Sequence, residues 1–153
     1  MKVVLTPDEI SICHIIGRMR SLISRSAGVT DQKFGPQNGI EGDIQGMLAE
    51  YAFAKHFNTF PDLGLSPRAG GADGKLNGYN YDIKSTKYKT GKLVTKINAN
   101  PDVDIYVLCI VDEPVVRIMG YAPKSELLDP KNIQDLGRGK CYCLDQEKLI
   151  QFK

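Results

Sequence analysis

Asp73-Gly74-Lys75-Leu76-Asn77-Gly78-Tyr79-Asn80-Tyr81-Asp82-Ile83-Lys84-Ser85-Thr86 is the stretch on which the reading of this chain turns. Asn77-Gly78 stands between two segments that can extend, a strong local signal for a hairpin. The second arm, with its tyrosines, isoleucine and threonine, reads as a strand. Equal counts from a two-residue turn pair 76 with 79, 74 with 81 and 73 with 82. Asp82 and Lys84 are two apart, so a strand points both to one face and Ile83 to the other.

Downstream, Val103 to Val111 is a nearly continuous apolar run, the mark of a central strand covered on both faces. Asp112-Glu113-Pro114 turns the chain into Val115 to Ala122, the expected antiparallel neighbour. A short helix near Lys124 to Leu128 and a last strand around Cys141 to Leu144 follow. Upstream, a helix is expected from about Glu41 to Asn58, with Ile44, Met47, Leu48, Tyr51, Ala52, Ala54 and Phe57 as a broad apolar face. Glu50 shares that face with Met47, Ala54 and Phe57, where a carboxylate is costly unless something pairs with it.

Thr6-Pro7-Asp8-Glu9 opens an earlier helix with a capping threonine, proline at the first position and a glutamate that completes a capping box. Ile12, Ile15, Ile16, Met19, Leu22 and Ile23 recur there as one apolar stripe expected to pack inward, with Arg18, Arg20 and Arg25 off it and Gly28 near its end. Val29 to Gly42 reads as a mobile loop, and residues 59 to 72 are turn-rich. The order of elements suits one α+β domain over 1–153, with a central mixed sheet flanked by helices.

The 153 residues are 42% hydrophobic and 25% charged, a globular composition. No apolar run approaches the roughly 20 residues that cross a bilayer, and the start is too short in apolar residues for a signal peptide. Cys13, Cys109, Cys141 and Cys143 lie in apolar stretches without a disulfide framework, so reduced thiols and a cytoplasmic location are expected. Cys141-Tyr142-Cys143 puts two thiols on one strand face, but a zinc site needs about four ligands and His14 and His56 are the only histidines. Neither histidine has the context of a catalytic base; both read as packing or capping residues. A net charge of +2 is mild, yet six lysines (75, 84, 87, 89, 92, 96) gather between Lys75 and Lys96 against one acid, Asp82.

Hydrolysis of a phosphodiester calls for a nucleophilic water, a Lewis acid and a proton relay. Magnesium supplies the first two through hard oxygen ligands, and a nearby lysine stabilises the developing charge. Acids from separate elements should therefore converge beside one lysine, and Glu50, Asp73 and Asp82 with Lys84 are the set that can. An acid-x-Lys triplet alone means little, since it occurs four times, at Asp31, Asp73, Asp82 and Asp129. The first lies in a Gly/Pro loop and the last contains a proline. A rival register would use Pro61-Asp62 with Asp73-Gly74-Lys75, but Gly70, Gly71 and Gly74 make a poor strand.

The arrangement resembles the PD-(D/E)XK nuclease superfamily, in which a helix glutamate precedes a hairpin whose first strand gives an aspartate and whose second gives (D/E)-x-K. The matching residues are Glu50 in Gly46-Met47-Leu48-Ala49-Glu50-Tyr51-Ala52, Asp73 in Gly71-Ala72-Asp73-Gly74, and Asp82-Ile83-Lys84. Ala72 stands where the literal pattern has proline. The resemblance covers roughly residues 41 to 122 and implies an α/β/α sandwich with a restriction-endonuclease-like core. It further implies a magnesium-dependent DNA endonuclease, with manganese as substitute metal. Asp73 and Asp82 would hold the metal, Glu50 would hold a second ion or orient a metal-bound water, and Lys84 would assist the attack. Ser85, Thr86, Lys87, Lys89 and Lys92 follow directly, where DNA phosphates would pass. A homodimer would let both strands be cut. Two other readings stay open: a nucleic-acid-binding protein that keeps the fold without the activity, and a small structural or inhibitor protein with solvated acids. The preferred form of DNA is not written in the residues, although the loop from Val29 to Gly42 and the segment from Thr90 to Asp102 are the expected seats of selectivity.

Overall fold

The computed structural model describes residues 1–28, 39–66 and 71–153. Most of the expected loop from Val29 to Gly42, including Asp31-Gln32-Lys33, and part of the turn-rich stretch, including Gly70, lie outside them. Eight strands and three α-helices follow in the order β1 (Lys2–Val4), α1 (Pro7–Ser26), α2 (Gly39–His56), β2 (Gly74–Leu76), β3 (Tyr79–Thr86), β4 (Leu93–Lys96), β5 (Ile105–Asp112), β6 (Val115–Pro123), α3 (Lys124–Leu127), β7 (Ile133–Asp135) and β8 (Lys140–Leu144), counted among the described residues. The fold is α+β. No helix among the described residues is long and apolar enough to cross a membrane.

The hairpin forms in the register counted from its turn. Gly74 pairs with Tyr81 and Leu76 with Tyr79, antiparallel. Asn77 and Gly78 take φ of 49° and 89°, the two positive values that match a two-residue turn to the twist of its strands. Gly74, which weighs against a strand on propensity, is needed here for space: a Cβ on it would come within 2.6 Å of the Tyr81 ring.

β3 then pairs in parallel with β5, and β5 antiparallel with β6, giving a five-stranded mixed sheet in the order β1-β6-β5-β3-β2. The apolar run of β5 is central, as its composition demands. Val107, Cys109 and Val111 join one buried cluster with Met47, Leu48, Ala52 and Phe53 of α2, while Tyr106 and Leu108 join a second cluster on the opposite face. That second face is not covered by a helical layer, as the sandwich reading expects. A three-stranded sheet, β4-β8-β7, covers it together with the single turn of α3, through Leu93, Leu127 and Leu144. Thr90 to Asp102, the segment named as a seat of selectivity, contains a structural strand whose Leu93 is fully buried. β1, β4 and β7 are three or four residues long, too short for periodicity to register.

α1 carries the expected capping box: Glu9 N donates to Thr6 Oγ1, and Thr6 N donates to Glu9 Oε2. Its orientation divides the expected apolar stripe: Ile16 packs against the core and Ile23 is half-buried, while the rest of the stripe is turned away. Cys13, Gly17 and Ser21 face inward, and Ile12, Ile15, Met19 and Leu22 face outward. The reason is the approach of α2, because a Cβ at Gly17 would lie 2.6 Å from Ile44 Cα. Only a surface of small side chains lets the two backbones come so close. Gly17→Val is expected to cost about 1–3 kcal/mol, the range for overfilling a packed contact, read as a lower midpoint in thermal or urea unfolding.

α2 runs between α1 and the sheet and is buried nearly all round. Phe53, in its last turn, meets Tyr81, Phe57 and Phe152 at ring-centroid distances of 4.7, 4.5 and 5.8 Å. All four cysteines are buried and free, and Cys141 and Cys143 bring their sulfurs to 3.4 Å on one face of β8. Burial pushes the Cys13, Cys109 and Cys143 thiols up to about 12, which keeps them protonated and unreactive at neutral pH.

Candidate active site

β2 ends at Gly74, while β3 runs on to Thr86 with β5 as its one ladder partner among the described residues. The edge of β3 is therefore open from Asp82 onward, and the candidate residues collect around this opening. Asp73 stands at the point of departure. Its N–H donates to Tyr81 O at 2.8 Å, and its carboxylate accepts the Ile83 N–H at 2.7 Å, so a side chain continues the ladder where the backbone stops.

Asp82 and Lys84 share a face, as their spacing requires, and it is the face of the second cluster, beside Tyr106 and Leu108 of β5. Lys84 Nζ lies 2.8 and 2.7 Å from the two Asp82 oxygens. Ile83 packs on the other side with α2, where Ser85 Oγ also accepts from Gln45 Nε2 at 3.1 Å. Tyr106, alongside Asp82, keeps a buried hydroxyl with no hydrogen-bond partner among the described residues. Burial, reinforced by the Asp82 charge, raises that phenol to about 12.

Glu50 reaches the edge from the helical layer. The partner that its position on an apolar face demands is Arg20 of α1, whose Nη1 donates to Glu50 Oε2 at 3.1 Å. Arg20 also donates to the carbonyls of Gly64 at 2.9 Å and Asp62 at 2.6 Å, fixing the segment after α2. Reading Arg20 as merely off the apolar stripe misses this role, and the signal for it was the need of Glu50 for a cation. Asp62, the acid of the rival register, accepts the Gly64 N–H at 2.7 Å and lies 4.0 Å from Arg20 Nη2.

The four expected residues meet electrostatically through Asp73. Desolvation first, then the charges of Glu50 and Asp82, raise its carboxyl to about 8, against the opposing pull of the Ile83 N–H and Lys84. Glu50 and Asp82 nevertheless approach from opposite layers. No group of three or more His, Cys, Asp or Glu among the described residues is arranged to hold a metal ion. The donor chemistry still fits magnesium, which takes one or two carboxylates and fills its octahedron with water or phosphate oxygens. Asp73 and Asp82 are two hard oxygen donors on adjoining chain segments, and the raised proton affinity of Asp73 reflects its burial first and then the charges of Glu50 and Asp82.

The phosphate-binding candidates divide. Lys87 and Lys89 are exposed on the turn after β3, with Lys87 Nζ 5.8 Å from the Tyr88 ring centre. Lys92 Nζ is held 3.0 Å from Asp145 Oδ1, and Thr86 Oγ1 accepts the Tyr88 N–H at 3.2 Å. His14 pairs with Glu113 at 2.7 Å, and exposed His56 stands edge-on to Phe57 at 4.9 Å, so both are engaged away from the open edge.

Fold and site together define an α+β protein with an acid–lysine centre at the open edge of a mixed sheet. No protein-family model, no curated protein and no solved structure matches the chain.

Proposed function

We propose that this chain is a magnesium-dependent DNA endonuclease with a restriction-endonuclease-like, PD-(D/E)XK type of core. One observation carries the reading: Asp73 sits where the hairpin opens, its carboxyl driven toward protonation by burial and two neighbouring acids. Three acids with this coupling are destabilising for a structural role and useful for a divalent cation.

Asp73 and Asp82 hold the metal in this proposal, and Glu50, oriented by Arg20, faces the same charge centre from the helical side. Magnesium supplies a polarised water and a Lewis acid for the phosphoryl oxygens. Lys84 stabilises the anionic charge that develops on phosphate, after exchanging part of its contact with Asp82. Lys87 and Lys89 guide the backbone by charge.

The deciding experiment is incubation with supercoiled, linear, branched and single-stranded DNA in Mg²⁺, Mn²⁺ or EDTA. Metal-dependent cleavage of any form supports the proposal; retention of DNA without cleavage of any form rejects it. That second result would favour a DNA-binding protein without catalytic power, a reading supported by the pairing of Asp82 with Lys84 and of Glu50 with Arg20. For either reading, affinity for DNA is expected to fall steeply with salt. Lys87→Ala with Lys89→Ala should reduce the log–log slope by about 1–2, one counterion for each lost phosphate contact. A flat salt titration of wild type in a gel-shift series would count against any DNA partner.

A further inference from the structure

The turn that follows β3 holds an aromatic ring between two exposed lysines. Tyr88 is 49% exposed, and Lys87 and Lys89 beside it are exposed as well. An exposed tyrosine by itself is ordinary, but the backbone that carries this one is tied from several sides. Tyr88 N donates to Thr86 Oγ1 at 3.2 Å, and Gly91 N donates to Tyr88 O at 2.9 Å. Gln146, from the segment after β8, donates through Nε2 to Lys89 O at 2.9 Å and to Gly91 O at 2.7 Å. Its neighbour Asp145 holds Lys92 at 3.0 Å. The ring is thus presented from a fixed frame, which cuts the ordering cost of a partner that lands on it.

We infer that Tyr88 stacks on a base, and that the DNA this protein takes presents unpaired bases beside the acid–lysine centre. The inference rests on the DNA reading above and adds to it the form of the substrate. Stacking needs a bare base face, and inside a duplex both faces are covered by the neighbouring base pairs. A single strand, a flap or an opened junction supplies such faces. Phosphate alone does not call for the ring, since the lysines on either side already meet that charge. Lys87 Nζ lies over the ring, 5.8 Å from its centre, and a cation on one face leaves the opposite face for a flat partner. Tyr88 follows Lys84 by four residues, at most about 13 Å of extended chain. One DNA strand can therefore meet both.

Fluorescence anisotropy of a labelled single-stranded oligonucleotide tests it, with unlabelled single strand or relaxed circular duplex as competitor, in EDTA so that nothing is cut. Tyr88→Ala is expected to weaken single-strand binding at least about fivefold, the lower end for one lost stacked base, and to leave duplex binding within about twofold. Tyr88→Phe should restore the wild-type value, because the ring and not the hydroxyl makes the contact. The salt slope should stay that of wild type in Tyr88→Ala, in contrast to the paired Lys87 and Lys89 variant, because stacking releases no counterion. An unchanged thermal midpoint for Tyr88→Ala confirms that the comparison is between folded proteins. Wild type that binds DNA while Tyr88→Ala matches it overturns the inference alone, as does an equal loss on single strand and duplex, or a Tyr88→Phe protein as weak as Tyr88→Ala. Wild type that binds no DNA overturns the DNA reading together with it.

Discussion

Asp82→Ala and Lys84→Ala are each expected to lower magnesium-supported DNA cleavage by at least about 10²–10³-fold, the range for losing one preorganised charged group from a transition state. Duplex binding should persist in both, since neither residue is among the exposed lysines of the following turn. The two variants should differ in their metal dependence. Losing Asp82 removes a proposed ligand, so excess Mn²⁺ should restore part of the activity. Losing Lys84 leaves Asp73 and Asp82 in place and frees Asp82 of its counter-ion, so metal affinity should hold or rise while turnover falls. Wild-type cleavage that survives Lys84→Ala within about threefold would remove this lysine from the chemistry.

Asp73→Asn is expected to stabilise the metal-free protein above neutral pH and to remove the stabilising effect of magnesium. The sign follows from linkage. A carboxyl near 3.8 in the unfolded chain and about 8 in the folded one binds its proton more tightly when folded. The stability it confers is complete below about pH 4 and declines as pH rises toward 8 and through it. Wild type in EDTA should therefore melt at a lower temperature at pH 8.5 than at pH 5.5 by several degrees, each kcal/mol being worth roughly 2–4 °C at this chain length. The side-chain amide that replaces the carboxyl can still accept the Ile83 N–H through its oxygen, yet carries no charge to repel Glu50 and Asp82, so this pH dependence should flatten. Magnesium should raise the wild-type midpoint by mass action and leave the variant's unmoved. Equal pH profiles for the two proteins would contradict the coupling of the three acids, whatever the DNA assays show.

Much of the site was legible because its parts are set by local rules. A two-residue Asn77-Gly78 turn admits one register, which runs to Gly74 opposite Tyr81 and brings Asp73 to the same part of β3, where it bonds Tyr81 and Ile83. Strand alternation then sets Asp82 and Lys84 on a common face. The demand that a part-buried glutamate find a partner was legible too, but the identity of Arg20 was not, because 30 residues separate it from Glu50 and only the packing of α1 on α2 joins them. Nor did alternation reveal that the shared face of Asp82 and Lys84 is turned away from α2.

α1 shows most clearly where local reading stops. Capping residues and periodicity specify a helix and its start almost to the residue, yet periodicity names an apolar side without saying what that side will meet. Here Gly17 permits the closest approach, and α2 takes the face of Cys13, Gly17 and Ser21 in preference to the more hydrophobic one. Backbone turns, strand phase and helix ends depend on neighbours along the chain, so amino-acid order by itself determines them. The choice of inward face, the proton affinity of Asp73 and the cover supplied by β4, β7 and β8 depend on atoms distant in sequence, and packing in three dimensions alone decides those.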